Sequence, residues 1–161
     1  MTRIRCSPCE QTIKRSNPLS VEQNDRFSTT AVQFTVMTDP EKLRENLIRR
    51  VVSNLKRGFH SVRADISTSR YERPQLIRSG SNAFRPDITA YSGSELHIYA
   101  VETADRIADT SSHDRWTAFA RYADEESERT FHLVVPSGSR DHVRLWLRQL
   151  SIDAEVMTVA V

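Results

Sequence analysis

Apolar and polar residues alternate along two neighbouring stretches in the middle of the chain, on either side of a turn that contains glycine. In the later stretch, the residues at every second position share one face: Leu96, Ile98, Ala100 and Glu102. A period of two is typical of a β-strand, and Gly93 supplies the backbone freedom that a tight turn needs. Residues 84–104 (FRPDITAYSGSELHIYAVETA) are therefore predicted to form a β-hairpin.

Elsewhere, apolar residues recur every three or four positions over three segments, which is the pattern of an amphipathic helix. These segments are residues 38–58, 113–123 and 140–150. Alternating or continuous apolar runs predict further strands, at residues 32–37, 59–66, 75–77, 131–135 and 154–159. Because strands interleave with helices and the hairpin is antiparallel, the chain is predicted to be an α/β sandwich with a mixed β-sheet flanked by helices.

Two of the predicted helices carry signals at their N-termini. Thr38 and Glu41 form a capping box at the start of the first helix, and Gly58 is expected to end it. Ser111 or Ser112 is expected to cap the second helix.

The chain of 161 residues is long enough for one domain, which we place at residues 31–161. Residues 1–30 are polar without a sustained period and are predicted to be a disordered tail. The tail carries Cys6 and Cys9 as a C-x2-C, which is two ligands short of a structural zinc site. A zinc site shared by two chains of a homodimer remains an alternative. No apolar run approaches the roughly 20 residues of a membrane span, and no secretory signal is visible, so a cytoplasmic protein is expected.

Asp87 and Glu102 lie fifteen positions apart, and the predicted hairpin can bring them side by side. Two adjacent carboxylates repel each other unless a cation or a proton separates them. This predicts a divalent-metal site. The alternative is that both residues lie at strand ends in water and bind nothing. The histidines show no metal-ligand spacing, and His97 is predicted on the strand face opposite Glu102.

The order of these features resembles the catalytic hairpin of the PD-(D/E)xK nuclease superfamily, which has the restriction-endonuclease-like fold. Pro86-Asp87 matches the PD element, and Ala100-Val101-Glu102 falls where the family has its acid-x-Lys tripeptide. The resemblance implies a restriction-endonuclease-like sandwich and a metal-dependent nuclease. It also implies that Asp87 and Glu102 are the catalytic residues and hold Mg²⁺ or Mn²⁺.

The match departs from the family in two positions of the tripeptide. Ala100 stands where members have the first acid, and Glu102 stands where they usually have Lys. The alternative is therefore a catalytically inactive protein of the same fold that binds nucleic acid or a protein partner.

Basic residues are unevenly distributed, with ten Lys or Arg against five Asp or Glu in residues 31–83 and eight against thirteen in residues 84–161. Twenty of the 23 basic residues are Arg, whose planar fork suits phosphate. The predicted nucleic-acid-binding residues lie in or beside the loop before the hairpin: Arg70, Arg73, Arg78 and Arg85. They predict a nucleic-acid partner, DNA rather than RNA. Solvated loop charges and an Arg-rich genome are the alternatives.

Overall fold

The computed structural model describes residues 39–67 and 70–160. The predicted tail, the strand at residues 32–37 and Thr38 lie outside the described residues. The helices are α1 (Pro40–Leu55), α2 (Thr110–Asp124) and α3 (Arg140–Gln149), the last preceded by a 3-10 turn over Ser137–Ser139. The strands are β1 (His60–Ala64), β2 (Ile77–Ser79), β3 (Asn82–Phe84), β4 (Ile88–Ser92), β5 (Glu95–Val101), β6 (Arg129–Pro136) and β7 (Glu155–Val159).

Five strands form one mixed sheet in the order β1-β4-β5-β6-β7. The pairs β1–β4 and β4–β5 are antiparallel, whereas β5–β6 and β6–β7 are parallel. The predicted hairpin is β4 with β5, and Gly93 in its turn has a φ of +63°, which side chains with a Cβ adopt only under strain. The predicted class, an α/β sandwich with a mixed sheet flanked by helices, is confirmed.

Helices cover both faces of this sheet. The period of two along β5 directs Ile98 and Ala100 towards α2 and α3, and directs Tyr99 and Val101 towards α1. A strand covered on both faces is apolar throughout, which accounts for the continuous apolar run in β6. None of the described helices is long and apolar enough to cross a membrane.

The segment before the hairpin differs from its prediction. β2 and β3 form a separate two-stranded antiparallel sheet, whereas a single strand was predicted at residues 75–77. Only Ile77 of that prediction lies in a strand. Three-residue strands are too short to show a period of two, so apolar spacing does not reveal them.

The helix starts also differ from their predicted caps. α1 is capped by Asp39, whose side chain accepts a hydrogen bond from the Glu41 amide at 3.1 Å. α2 starts three residues earlier than predicted, and its N-cap is Asp109 rather than Ser111 or Ser112. The Ser112 amide already donates to the Asp109 carbonyl at 3.0 Å. Ser111 and Ser112 therefore lie inside the first helical turn and not at the N-cap.

Candidate functional site

Asp87 directly precedes β4 and is fixed through its own backbone. Its amide donates to the Tyr99 carbonyl, and its carbonyl accepts from the Asp65 amide, both at 2.9 Å. These bonds attach the residue to β5 on one side and to the end of β1 on the other. The Asp87 side chain is 0% exposed.

Glu102 directly follows β5, and its amide donates to the Val134 carbonyl of β6 at 2.9 Å. The alternation along β5 turns its side chain towards α2, where Trp116 Nε1 donates to Glu102 Oε1 at 3.0 Å. Like Asp87, Glu102 is 0% exposed. The alternative interpretation, in which both carboxylates are solvated strand ends, is therefore wrong.

One guanidinium nitrogen joins the two carboxylates. Arg115 Nη2, from the first half of α2, lies 2.5 Å from Glu102 Oε1 and 3.4 Å from Asp87 Oδ2. The hairpin therefore brings Asp87 and Glu102 to a common partner, and that partner is a cation supplied by the chain itself.

A second arginine reaches Asp87 from the opposite face of the sheet. Arg44 of α1 donates through Nη2 to Asp87 Oδ1, while the Val101 amide donates to Asp87 Oδ2 at 2.5 Å. The Arg44 and Arg115 side chains are only 12% and 13% exposed. Two buried carboxylates are thus matched by two nearly buried guanidinium groups, and together the four side chains carry no net charge.

The charge state of Arg115 follows from these neighbours. Burial by itself lowers the pKa of Arg115, but the attraction of Asp87 and Glu102 outweighs it, and the pKa is raised above its ordinary value. Arg115 is therefore protonated beside the two carboxylates and, together with Arg44, balances their charge.

The residues present do not fit a resident Mg²⁺ or Mn²⁺. Both oxygens of Asp87 and one oxygen of Glu102 already accept hydrogen bonds, and a divalent ion beside them would face two guanidinium charges. Within the described ranges, only Glu102 Oε2 of these four oxygens has no hydrogen-bond partner. The described part of the chain also holds no group of three or more His, Cys, Asp or Glu side chains suited to a metal.

The structure places Ala100 and Glu102 in different surroundings. Ala100, which was aligned with the first acid of the tripeptide, is fully buried in the apolar core between the sheet and α2. Glu102, which was aligned with the Lys position, is the acid that shares Arg115 with Asp87.

The four arginines predicted to bind nucleic acid differ in their exposure and contacts. Arg85 is half-buried and donates to the Pro74 carbonyl, so it holds the loop before the hairpin. Arg73 pairs with Asp65 at 3.2 Å. Arg78 is exposed on β2, and Arg70 is exposed beside α1.

Sequence reasoning missed both arginines of the site. Arg115 lies 13 residues from Glu102 and 28 from Asp87, and Arg44 lies 43 residues from Asp87. No spacing rule links such positions. Trp116 is fully buried, but its hydrogen bond to Glu102 carried no sequence signal.

A second polar cluster lies on the opposite face of the sheet. His97 Nδ1 and His132 Nε2 are 2.8 Å apart, and the His132 ring stacks on Tyr99 with 4.5 Å between ring centroids. Glu95 and Glu155 flank the pair, at 3.6 Å from His97 and 3.1 Å from His132. The prediction that His97 faces away from Glu102 agrees with this placement, but the contact between the two histidines was not foreseen.

Comparisons with known proteins give one structural likeness. No family model matches this chain, and no curated protein matches it. Among solved structures, it is similar to an XisH family protein from Nostoc punctiforme, with 14% identity and a TM-score of 0.45. The likeness covers 73% of this chain and 91% of that one.

Proposed function

We propose that this protein is a nuclease-fold module that binds nucleic acid without cutting it. The observation that carries the proposal is the contact of Arg115 Nη2 with both Asp87 and Glu102. In this arrangement the carboxylate pair is a structural ion-pair cluster that joins α1, the hairpin and α2.

Electrostatics supports this interpretation over a metal-dependent nuclease. Like charges repel strongly when they are close together and shielded from water. A divalent ion would therefore enter only if Arg115 left both carboxylates and Arg44 left Asp87. That exchange would expose two guanidinium groups whose side chains are nearly buried.

The nucleic-acid part of the proposal rests on exposed basic side chains. Between residues 39 and 79, within the described ranges, the exposed Lys and Arg residues are Lys42, Arg49, Arg50, Lys56, Arg57, Arg70, Arg73 and Arg78. The exposed acidic residues of the same stretch are Asp39, Glu41 and Glu72. Exposed basic side chains in this excess attract a phosphate backbone without reading its sequence, and we propose DNA as the first ligand.

Metal titration and DNA binding test this proposal together. Titration with Mg²⁺ or Mn²⁺ to millimolar concentration is expected to show no heat of binding at Asp87. A fluorescent DNA duplex is expected to bind equally well in EDTA and in Mg²⁺. Its affinity should fall steeply with salt, as phosphate contacts require. Duplex incubated with either metal should stay intact.

The matched control is Asp87→Asn, which keeps the shape of the side chain and removes its charge. Metal-dependent cleavage by the wild type that this variant lacks would overturn the proposal and establish a nuclease. If metal binding to the wild type released heat and the variant released none, the ion-pair interpretation would be overturned. If the wild type neither binds nor cuts DNA, a protein partner is favoured instead.

A further inference from the structure

A cleft of about 270 Å³ lies between α1 and the residues Ile66, Arg70 and Tyr71. We call it the α1 cleft. Arg49, Lys56 and Arg70 supply three basic side chains to its wall, and Val52 and Ile66 supply apolar surface. Asp87, Glu102 and the two arginines that bind them are not among its lining residues, so the α1 cleft is distinct from the carboxylate site.

The size of the α1 cleft suits a ligand rather than an ordered water. A water molecule occupies about 30 Å³ in the liquid, and small-molecule pockets start at about 300 Å³. The cleft is therefore near the lower bound for a ligand site.

The lining chemistry selects an anion. Arg49 also pairs with Glu45 at 2.7 Å on the same helix face, so one carboxylate offsets part of the positive charge. Lys56 lies over the ring of Tyr71, with 5.3 Å from Nζ to the ring centroid, as in a cation–π contact. Arg70 is exposed at the opposite wall. Two guanidinium groups and an ammonium around one concave surface are suited to phosphate oxygens.

Two further lining residues indicate which groups the ligand carries besides phosphate. Ser53 presents a hydroxyl at the same wall, and Tyr71 presents an aromatic ring. A hydroxyl adds a hydrogen bond to a phosphate or a sugar, and the apolar floor accommodates a sugar or a base.

We infer that the α1 cleft binds a phosphate group of a nucleotide ligand. Two sources share this chemistry: the backbone of a nucleic acid and a free mononucleotide. The nucleic-acid source rests on the proposed function, whereas the mononucleotide source does not.

The test uses the full chain with Lys56→Ala and Arg70→Ala combined. Both side chains are exposed, so their removal should leave the fold intact, as a thermal melt can show. The matched control is Arg121→Ala, which removes an exposed charge from α2, far along the chain from the cleft. The probes are a fluorescent DNA duplex of about 20 base pairs, followed by anisotropy across a salt series, and AMP, followed by calorimetry.

The double variant is expected to bind its ligand at least about tenfold more weakly than the wild type, and the control is expected to bind normally. If the ligand is DNA, the slope of log affinity against log salt should fall by about 1 for each phosphate that no longer meets a cation of the protein. If AMP binds and the duplex does not, the inference holds with the mononucleotide as the source, and the proposed function fails.

Two results would overturn the inference. If the double variant binds duplex as tightly as the wild type does, the phosphate-binding residues lie elsewhere, and the proposed function survives without the cleft. If the wild type binds neither duplex nor AMP at millimolar concentration, both the cleft site and the proposed function are wrong.

Discussion

Replacing Arg115 with Ala is expected to lower the free energy of unfolding by about 3–5 kcal/mol, the range measured when one partner of a buried ion pair is removed. Arg115 contacts both Glu102 and Asp87. Without it, Glu102 keeps the hydrogen bond from Trp116, while Asp87 keeps those from Arg44 and the Val101 amide. The uncompensated charge should therefore reside mainly on Glu102, which retains no cation. Urea denaturation of the wild type and the variant measures the difference.

Arg121→Ala is the matched control for this change, because Arg121 is an exposed arginine on the same helix. Its effect should stay within about 0.5 kcal/mol, as for other surface substitutions. If Arg115→Ala had an equally small effect, the buried ion-pair cluster would not be the structural element that we describe.

A second substitution separates the missing charge compensation from the missing side-chain packing. Adding Glu102→Gln to Arg115→Ala removes the stranded carboxylate while keeping its shape. The double variant is expected to be more stable than Arg115→Ala alone, because a neutral amide is less unfavourable in a buried position than an unpaired charge. A purely steric role of Arg115 predicts no such recovery.

Stability is also expected to fall as the pH drops from about 6.5 to about 4. Burial and the neighbouring His97 lower the pKa of His132 to about 4, against 6.5 ordinarily, with an opposing effect of Glu95. Between these two pH values the unfolded chain binds a proton at His132 that the folded protein does not bind. At about 1.36 kcal/mol for each pH unit, this single group removes about 3 kcal/mol of stability. The stability that His132 contributes is fully present above a pH of about 6.5.

The groups around His132 decide the sign of this effect. His97 lies at 2.8 Å, and its electrostatic effect lowers the pKa of His132. Glu155 lies at 3.1 Å, but its side chain is 71% exposed, so water screens its attraction for a protonated ring. Tyr99 stacks on the ring and excludes solvent, and burial raises the pKa of its own hydroxyl. Burial therefore dominates, and the neutral imidazole is favoured.

Denaturation midpoints measured from about pH 4 to about pH 8 test this prediction. The comparison is between the wild type and His132→Gln, because other groups also titrate in this range. The variant should lack the part of the slope that lies between the two pKa values of His132. His60→Gln, at an exposed histidine on β1, is the matched control. Parallel curves for the wild type and His132→Gln would contradict a buried neutral His132.

Several features of this molecule follow from short-range spacing alone. Alternation at every second residue identified the hairpin of β4 and β5, and recurrence at three and four identified α1 and α3. Both signals reflect backbone geometry within one element, which distant residues do not alter. The spacing of Asp87 and Glu102 across one hairpin was local enough to indicate that the two residues meet.

The partners of these carboxylates were decided by packing between elements. Arg44 reaches Asp87 because α1 covers one face of the sheet, and Arg115 reaches both acids because α2 covers the other. His97 and His132 meet because β5 and β6 are paired in parallel, 35 residues apart in the chain. A buried charge is neutralised by whichever group the assembled fold places beside it. The sequence pattern therefore located the acids, and only the packing of both helices against the sheet placed Arg44 and Arg115 beside them.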